Sequence, residues 1–124
     1  MPIYQISFDF LSNCVHNVYV EIIGKLRLQE FWEKDKRAKS PFQKWVRTVQ
    51  DAEWRNFANT KQTFNRASWV KVCGRREFVV FNVGGNKYRV VTTVNYQQRK
   101  VVVEFALTHK EYDKGNWKVC LRGL

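Results

Sequence analysis

The sequence predicts an α+β fold in which an N-terminal helical hairpin packs on one face of a small antiparallel sheet. Two observations carry that prediction. Apolar residues recur at helical spacing between Lys25 and Trp54. From Glu77 onward they alternate in three β-branched runs joined by short polar or glycine-rich links, which makes consecutive runs antiparallel neighbours. At 124 residues, with 44% apolar and 27% charged side chains, the chain suits one globular domain and excludes a disordered or fibrous class. No run approaches the ~18 uncharged apolar residues of a membrane span, so no membrane is expected as a partner.

The elements follow in order. Val18 to Ile23 is rich in β-branched residues and reads as a strand closed by Gly24. Lys25 to Asp35 reads as a helix, with Leu28, Phe31 and Trp32 on one face. Lys34 to Lys39 is a polar connector. Ser40 as N-cap, Pro41 at the first helical position and Gln43 as the return arm of a capping box then open a second helix. Its stripe of Phe42, Trp45, Val46 and Val49 is a core stripe and runs to about Trp54. Asn56 to Lys71 is less periodic and reads as a helical turn near Thr60–Phe64 followed by loop. Three strands are expected at Glu77–Val83, Lys87–Tyr96 and Val101–Thr108. Gly84-Gly85-Asn86 and Gln97–Lys100 form the turns between them.

Strand phase places Tyr88, Val90, Val94 and Tyr96 on one face, and Lys87, Arg89, Val91, Thr93 and Asn95 on the other. With helices covering the first face, Lys87 and Arg89 project together from an open one. In the last strand Val101, Val103, Phe105 and Leu107 alternate with Val102, Glu104, Ala106 and Thr108. Just beyond it, Thr108-His-Lys-Glu-Tyr-Asp113 concentrates proton-transfer groups at a strand end. That hexapeptide reads either as a functional loop or as a structural one in which His109 bonds to backbone and Tyr112 caps the core.

Charge is distributed unevenly. The chain carries a net +11, yet its first 24 residues hold only Asp9 and Glu21. The remaining 100 residues, with 22 basic against 9 acidic side chains, carry +13. From Trp54 to Val103 there are ten basic residues and one acid, Glu77. Such a domain is drawn to polyanions. In Trp54-Arg55, Phe57, Lys61, Phe64, Arg66, Trp69 and Lys71, cations alternate with rings, as suits single-stranded nucleic acid; the same pattern also fits a solvated basic face over core aromatics. The composition step marks 1–19 as an appendage or a misassigned start, leaving 20–124 as one domain. Cys14, Cys73 and Cys120 are sparse and odd in number, which suggests reduced thiols in a cytoplasmic protein. No basic n-region precedes an export signal.

Phe81-Asn-Val-Gly-Gly-Asn-Lys-Tyr-Arg-Val-Val91, followed 16 residues later by Thr108-His-Lys-Glu-Tyr-Asp113, resembles the HigB family of toxins in the RelE/ParE-like superfamily. Leu28-Gln-Glu-Phe-Trp-Glu33, Trp45, Ala52-Glu-Trp54, Lys61, Phe64 and Ala67-Ser68 fit the same pattern, so the likeness runs from about Val20 to Lys118. The resemblance implies the RelE/ParE-like toxin fold and an endoribonuclease that needs no cofactor or metal. It further implies cleavage of mRNA, expected on the ribosome, and silencing by a cognate helix-turn-helix antitoxin. Metal-independent cleavage through the 2′-hydroxyl needs an acid, a base and cations for the phosphorane. His109 is then the first choice for proton transfer, because the ordinary imidazole pKa is ~6.5. Tyr112 would share that role or stack on a base, Arg89 would clamp the phosphate with its fork, and Lys87 would be the second cation. Asn86, Lys110, Arg76 and Lys61 complete the expected RNA contacts. The alternative is a non-catalytic basic toxin that binds the ribosome or gyrase.

Overall fold

The computed structural model describes residues 19–118. Nearly all of the expected appendage, with Cys14 and His16, lies outside the described residues, as does Cys120. The elements run β1 (Glu21–Ile23), α1 (Lys25–Lys34), a 3-10 turn (Lys36–Ala38), α2 (Lys39–Gln50), α3 (Phe57–Thr63), β2 (Ser68–Val72), β3 (Arg76–Val83), β4 (Tyr88–Asn95), β5 (Lys100–Thr108) and α4 (His109–Lys114). The sheet order is β1-β5-β4-β3-β2. The α+β architecture and the helical hairpin stand as expected.

The hairpin and α3 bury their apolar faces on one side of the sheet. Leu28, Phe42, Trp45 and Val49 meet Val79, Phe81, Val83, Tyr88, Val90, Val101 and Val103 in one cluster. Trp45 meets Phe81 edge-on at 5.3 Å and Trp54 stacks on Phe81 at 5.9 Å. Burying each such side chain is worth roughly 1.5–3 kcal/mol, and this layer is the main source of stability.

Several boundaries differ from expectation, each for a physical reason. The first strand is confined to Glu21–Ile23 and pairs parallel to β5, so the otherwise antiparallel sheet carries one parallel edge. Widely separated strands are free to pair that way because the helices supply the crossover. Ser40 does not cap α2. The Asp35 carboxylate accepts from the Arg37 N–H at the head of the 3-10 turn, and that turn runs directly into α2 at Lys39. α2 stops at Gln50, and Trp54 enters the core from the linker, its Nε1 donating to Thr63 Oγ1 at 2.9 Å. The helical turn near Thr60 is a seven-residue helix capped by Asn56, whose Oδ1 accepts from the Asn59 N–H. The loop expected after it contains β2, which pairs with β3 from Ser68↔Val80 to Val72↔Arg76.

The largest departure is on the far side of the sheet. Val72, Phe78, Val80 and Val91 form a second cluster with Trp117, joined by Val70, Phe105, Leu107 and Tyr112. That face is therefore not open. Arg89, expected to project from it, is only 7% exposed, while Lys87 sits exposed in the turn before β4. β5 does not alternate strictly either. Val91 pairs with Phe105 but Thr92 with Val103, so Glu104 is an extra residue in a bulge. Val101 and Val103 face the helices, whereas Phe105 and Leu107 face the second cluster. Cys73 is disulfide-bonded, against the expectation of a reduced thiol.

Candidate active site

The site is assembled by one turn and one short helix at the end of the second face. In the turn, Gly84 and Gly85 have φ of 67° and 69°, the left-handed region that glycine enters without penalty. The Lys87 N–H donates to the Gly84 carbonyl at 3.3 Å, reversing the chain so that β4 begins at Tyr88. The Lys87 carbonyl then accepts the His109 N–H at 2.9 Å, tying the start of α4 to this turn.

α4 exists because Thr108 and Glu111 form a capping box. Thr108 Oγ1 accepts from the Glu111 N–H at 3.1 Å, and Glu111 Oε1 accepts from the Thr108 N–H at 2.9 Å. Gly115, at φ 77°, ends the helix. The box turns the expected loop helical and brings His109 and Tyr112 within one turn of each other. Its signature, Thr108-x-x-Glu111, was present in the sequence. Glu111 therefore serves the helix as the return arm of its cap. Asp113 lies one turn below His109, its Oδ2 3.0 Å from His109 Nε2.

Arg89 is held from beneath. Its Nη1 donates to the carbonyls of Asn86 at 3.2 Å and Tyr88 at 3.1 Å, and its Nη2 donates to Asn86 Oδ1 at 2.7 Å. Its guanidinium carbon lies 5.8 Å from the centre of the Tyr112 ring. Burial pushes the Tyr112 hydroxyl above the ordinary tyrosine pKa; the Arg89 charge pulls against this and the Asp113 carboxylate adds to it. Tyr112 thus holds its proton firmly at neutral pH. The Tyr112 ring also stacks on Trp117 at 5.1 Å, and Trp117 Nε1 donates to the Tyr112 carbonyl at 3.0 Å. Trp117 is a member of this cluster that the sequence reading passed over, since nothing near it marked a motif.

Cations surround the cluster. Lys87, Lys110, Lys114 and Lys118 are exposed, and an open cleft of about 490 Å³ beside His109 is lined by His109, Lys110, Asp113 and Lys114. Lys118 Nζ lies over Trp117 at 5.5 Å. Arg76 covers Phe78 at 5.0 Å, at the edge of the same face. Lys61 does not join them. Its Nζ donates to the carbonyls of Asn65 at 2.8 Å and Ala67 at 3.1 Å, which fixes the loop between α3 and β2. A groove between α1 and β5 has the opposite character, with Glu30, Asp35, Glu104 and Glu111 against Arg27 and Lys34. Among the described residues no three His, Cys, Asp or Glu side chains gather as a metal site, and no helix is long and apolar enough to cross a membrane.

Residues 38–115 match the family described as "HigB_toxin, RelE-like toxic component of a toxin-antitoxin system". The chain belongs to this HigB toxin family. The matched span runs from the 3-10 turn to the end of α4 and takes in Arg89, His109 and Tyr112. Over a shorter stretch of 34 residues the chain is 53% identical to the mRNA interferase toxin HigB of Escherichia coli (strain K12). The same identity holds for mRNA interferase HigB of Escherichia coli O157:H7 and of Shigella flexneri. That stretch is 27% of this chain and 33% of each relative, so the match spans about a third of the curated relatives' length.

Proposed function

We propose that this member of the HigB family is an mRNA endoribonuclease, acting in the cytoplasm on ribosome-bound messages and held silent by a cognate helix-turn-helix antitoxin. Support comes from the family and from relatives named mRNA interferases. The observation that carries the reading is that α4, which bears His109 and Tyr112, is tied through its first N–H to the distant turn that holds Arg89, whose guanidinium lies 5.8 Å from the Tyr112 ring. In this reading the ribose 2′-oxygen attacks the adjacent phosphorus and the bond to the 5′-oxygen breaks. A 2′,3′-cyclic phosphate and a 5′-hydroxyl result. His109, oriented by Asp113, takes the 2′-hydroxyl proton. Tyr112, whose proton is firmly held, supplies one to the departing 5′-oxygen.

Lys87 and Lys110 meet the phosphate directly, since both are exposed. Arg89 supplies a fixed positive charge beneath the centre. Its bond to the exposed Asn86 side chain is the one contact it can surrender without stripping a backbone carbonyl, so a phosphate oxygen replaces Asn86 Oδ1 when RNA binds. Arg76 and Lys118 extend the positive surface along the bound strand. Incubation with mRNA, with and without ribosomes, followed by mapping of 5′ ends, tests this. Defined cuts that His109→Ala abolishes are expected. Intact mRNA in both settings, beside tight salt-dependent binding indifferent to His109, would establish a non-catalytic binder instead.

A further inference from the structure

We propose that the groove between α2 and the β3–β4 turn seats one unpaired base of the RNA, with the Trp45 indole N–H as the donor that reads it. The inference rests on the proposed RNA cleavage and adds a specificity subsite to it. Trp45 is 2% exposed, and its Nε1 has no hydrogen-bond partner among the described residues. Buried donors are nearly always met, and Trp45 is also a wall residue of a groove, so its unmet N–H points to an acceptor that arrives from outside. The ring is fixed by its edge-on contact with Phe81, so the N–H is a preset donor.

The groove encloses about 400 Å³, within the range of small-ligand sites, and Trp45 lines it. Its other walls suit a flat ring: Pro41, Phe64, Val83 and the side-chain-free backbone of Gly84 and Gly85. Lys44 stands at the rim. A second groove of about 360 Å³ shares Phe64, Asn82 and Gly85 and adds Arg66. Neither is lined by any carboxylate, whereas the α1/β5 groove has four. Charge thus directs a polyanion to this groove and away from that one.

Position makes the occupant a part of the same RNA. Gly84 and Gly85 line the groove, Asn86 holds Arg89, and the Lys87 carbonyl holds His109. At ~3.8 Å per residue the groove lies about 8–11 Å along the turn from the cleavage centre, a reach of one or two nucleotides. Proteins read single-stranded RNA by splaying bases into such pockets and bonding their edges. An indole N–H donates only, so the base it reads presents a ring nitrogen or a carbonyl oxygen there.

The test uses the full chain with His109→Ala, which leaves RNA uncut during titration. The Trp45 indole N–H resonance, assigned by its loss in Trp45→Phe, is followed as each of the four nucleoside 5′-monophosphates is added, with inorganic phosphate as a control. A shift that favours one base and is absent with phosphate is expected. No shift with any nucleotide, or the same shift with phosphate alone, overturns the subsite. In the active chain, Trp45→Phe and the surface variant Lys44→Ala should each raise KM by about threefold to tenfold, with kcat retained and base preference at cut sites relaxed. Cleavage with unchanged KM and preference in both variants overturns the subsite and leaves the nuclease reading intact. A base-selective shift in a wild-type chain that cuts no RNA leaves the groove a base site but ends the nuclease reading.

Discussion

Replacing Arg89 by alanine separates a buried support from a surface contact. The side chain is 7% exposed and makes three hydrogen bonds, two of them to backbone carbonyls. Alanine removes all three and leaves the carbonyls of Asn86 and Tyr88 short of a donor, at about 1–3 kcal/mol for each acceptor stranded in the interior. Tyr112 also loses the cation over its ring. Asn86 is exposed and recruits water, so the net cost is near the lower part of that range for the pair, about 2–4 kcal/mol. For a domain of this size that lowers Tm by roughly 8–16 °C. Arg89→Lys keeps the charge but not the fork, and should recover less than half the loss. Calorimetry on the purified chain, with a urea titration to check that the m-value holds, measures both. An Arg89→Ala chain that melts within 2 °C of the parent would falsify the supporting role and return Arg89 to a simple phosphate contact.

Further outcomes follow from the same geometry. Tyr112→Phe keeps the ring between Arg89 and Trp117, so stability should hold within about 0.5 kcal/mol while mRNA cleavage falls about a hundredfold or more; an unchanged rate would remove the hydroxyl from the chemistry. Thr108→Ala breaks the capping box and should cost about 1 kcal/mol by denaturant titration, with a larger loss of cleavage because α4 carries His109 and Tyr112. Gly24→Ala places a Cβ 2.9 Å from the Val103 carbonyl oxygen at φ 88°, and should destabilise by about 2 kcal/mol or more; a neutral result would mean the β1–α1 junction shifts freely. Partial burial opposes ionisation of Asp35, but hydrogen bonds from Tyr88 and Arg37 outweigh it and hold its pKa below the ordinary 3.8. Its stabilising contribution is therefore complete above the unfolded carboxyl pKa and fades as pH falls through the lower folded value. Asp35→Asn should flatten that acid limb in a pH series of melts.

The hydrophobic periodicities of Leu28 through Val49 and of the β3–β5 runs reported packing directly, so helices, strands and core were legible in sequence. β2 was hidden because Ser68-Trp-Val-Lys-Val72 is a short edge strand whose exposed Trp69 and Lys71 look like loop. Ser40 misled because a good cap sequence loses its role when an upstream turn already feeds the helix. That the Thr108–Asp113 segment lies beside the Lys87–Arg89 segment was anticipated through the family resemblance. The burial of Arg89 was not, because it depends on Trp117 and on a bulge that no local pattern of Val, Glu and Phe announces. Lys61 was expected at the RNA from charge and family pattern, and neither tells a ligand contact from a lysine that serves its own loop.

The extra residue at Glu104 has a consequence for how the chain tolerates change. Because Glu104 and Phe105 point to the same side, everything after them is rotated by half a pleat. Were the strand to run on past Val103 in even register, with Glu104 opposite Val91, Phe105 and Leu107 would swing under the helices and the following histidine would be delivered to the wrong side of the molecule, whereas dropping Glu104 itself leaves their facing unchanged. The hexapeptide Thr108–Asp113 could stay intact letter for letter and still be aimed at nothing. Lengthening the surface connections elsewhere would be forgiven; one more residue inserted between Phe105 and His109 would not.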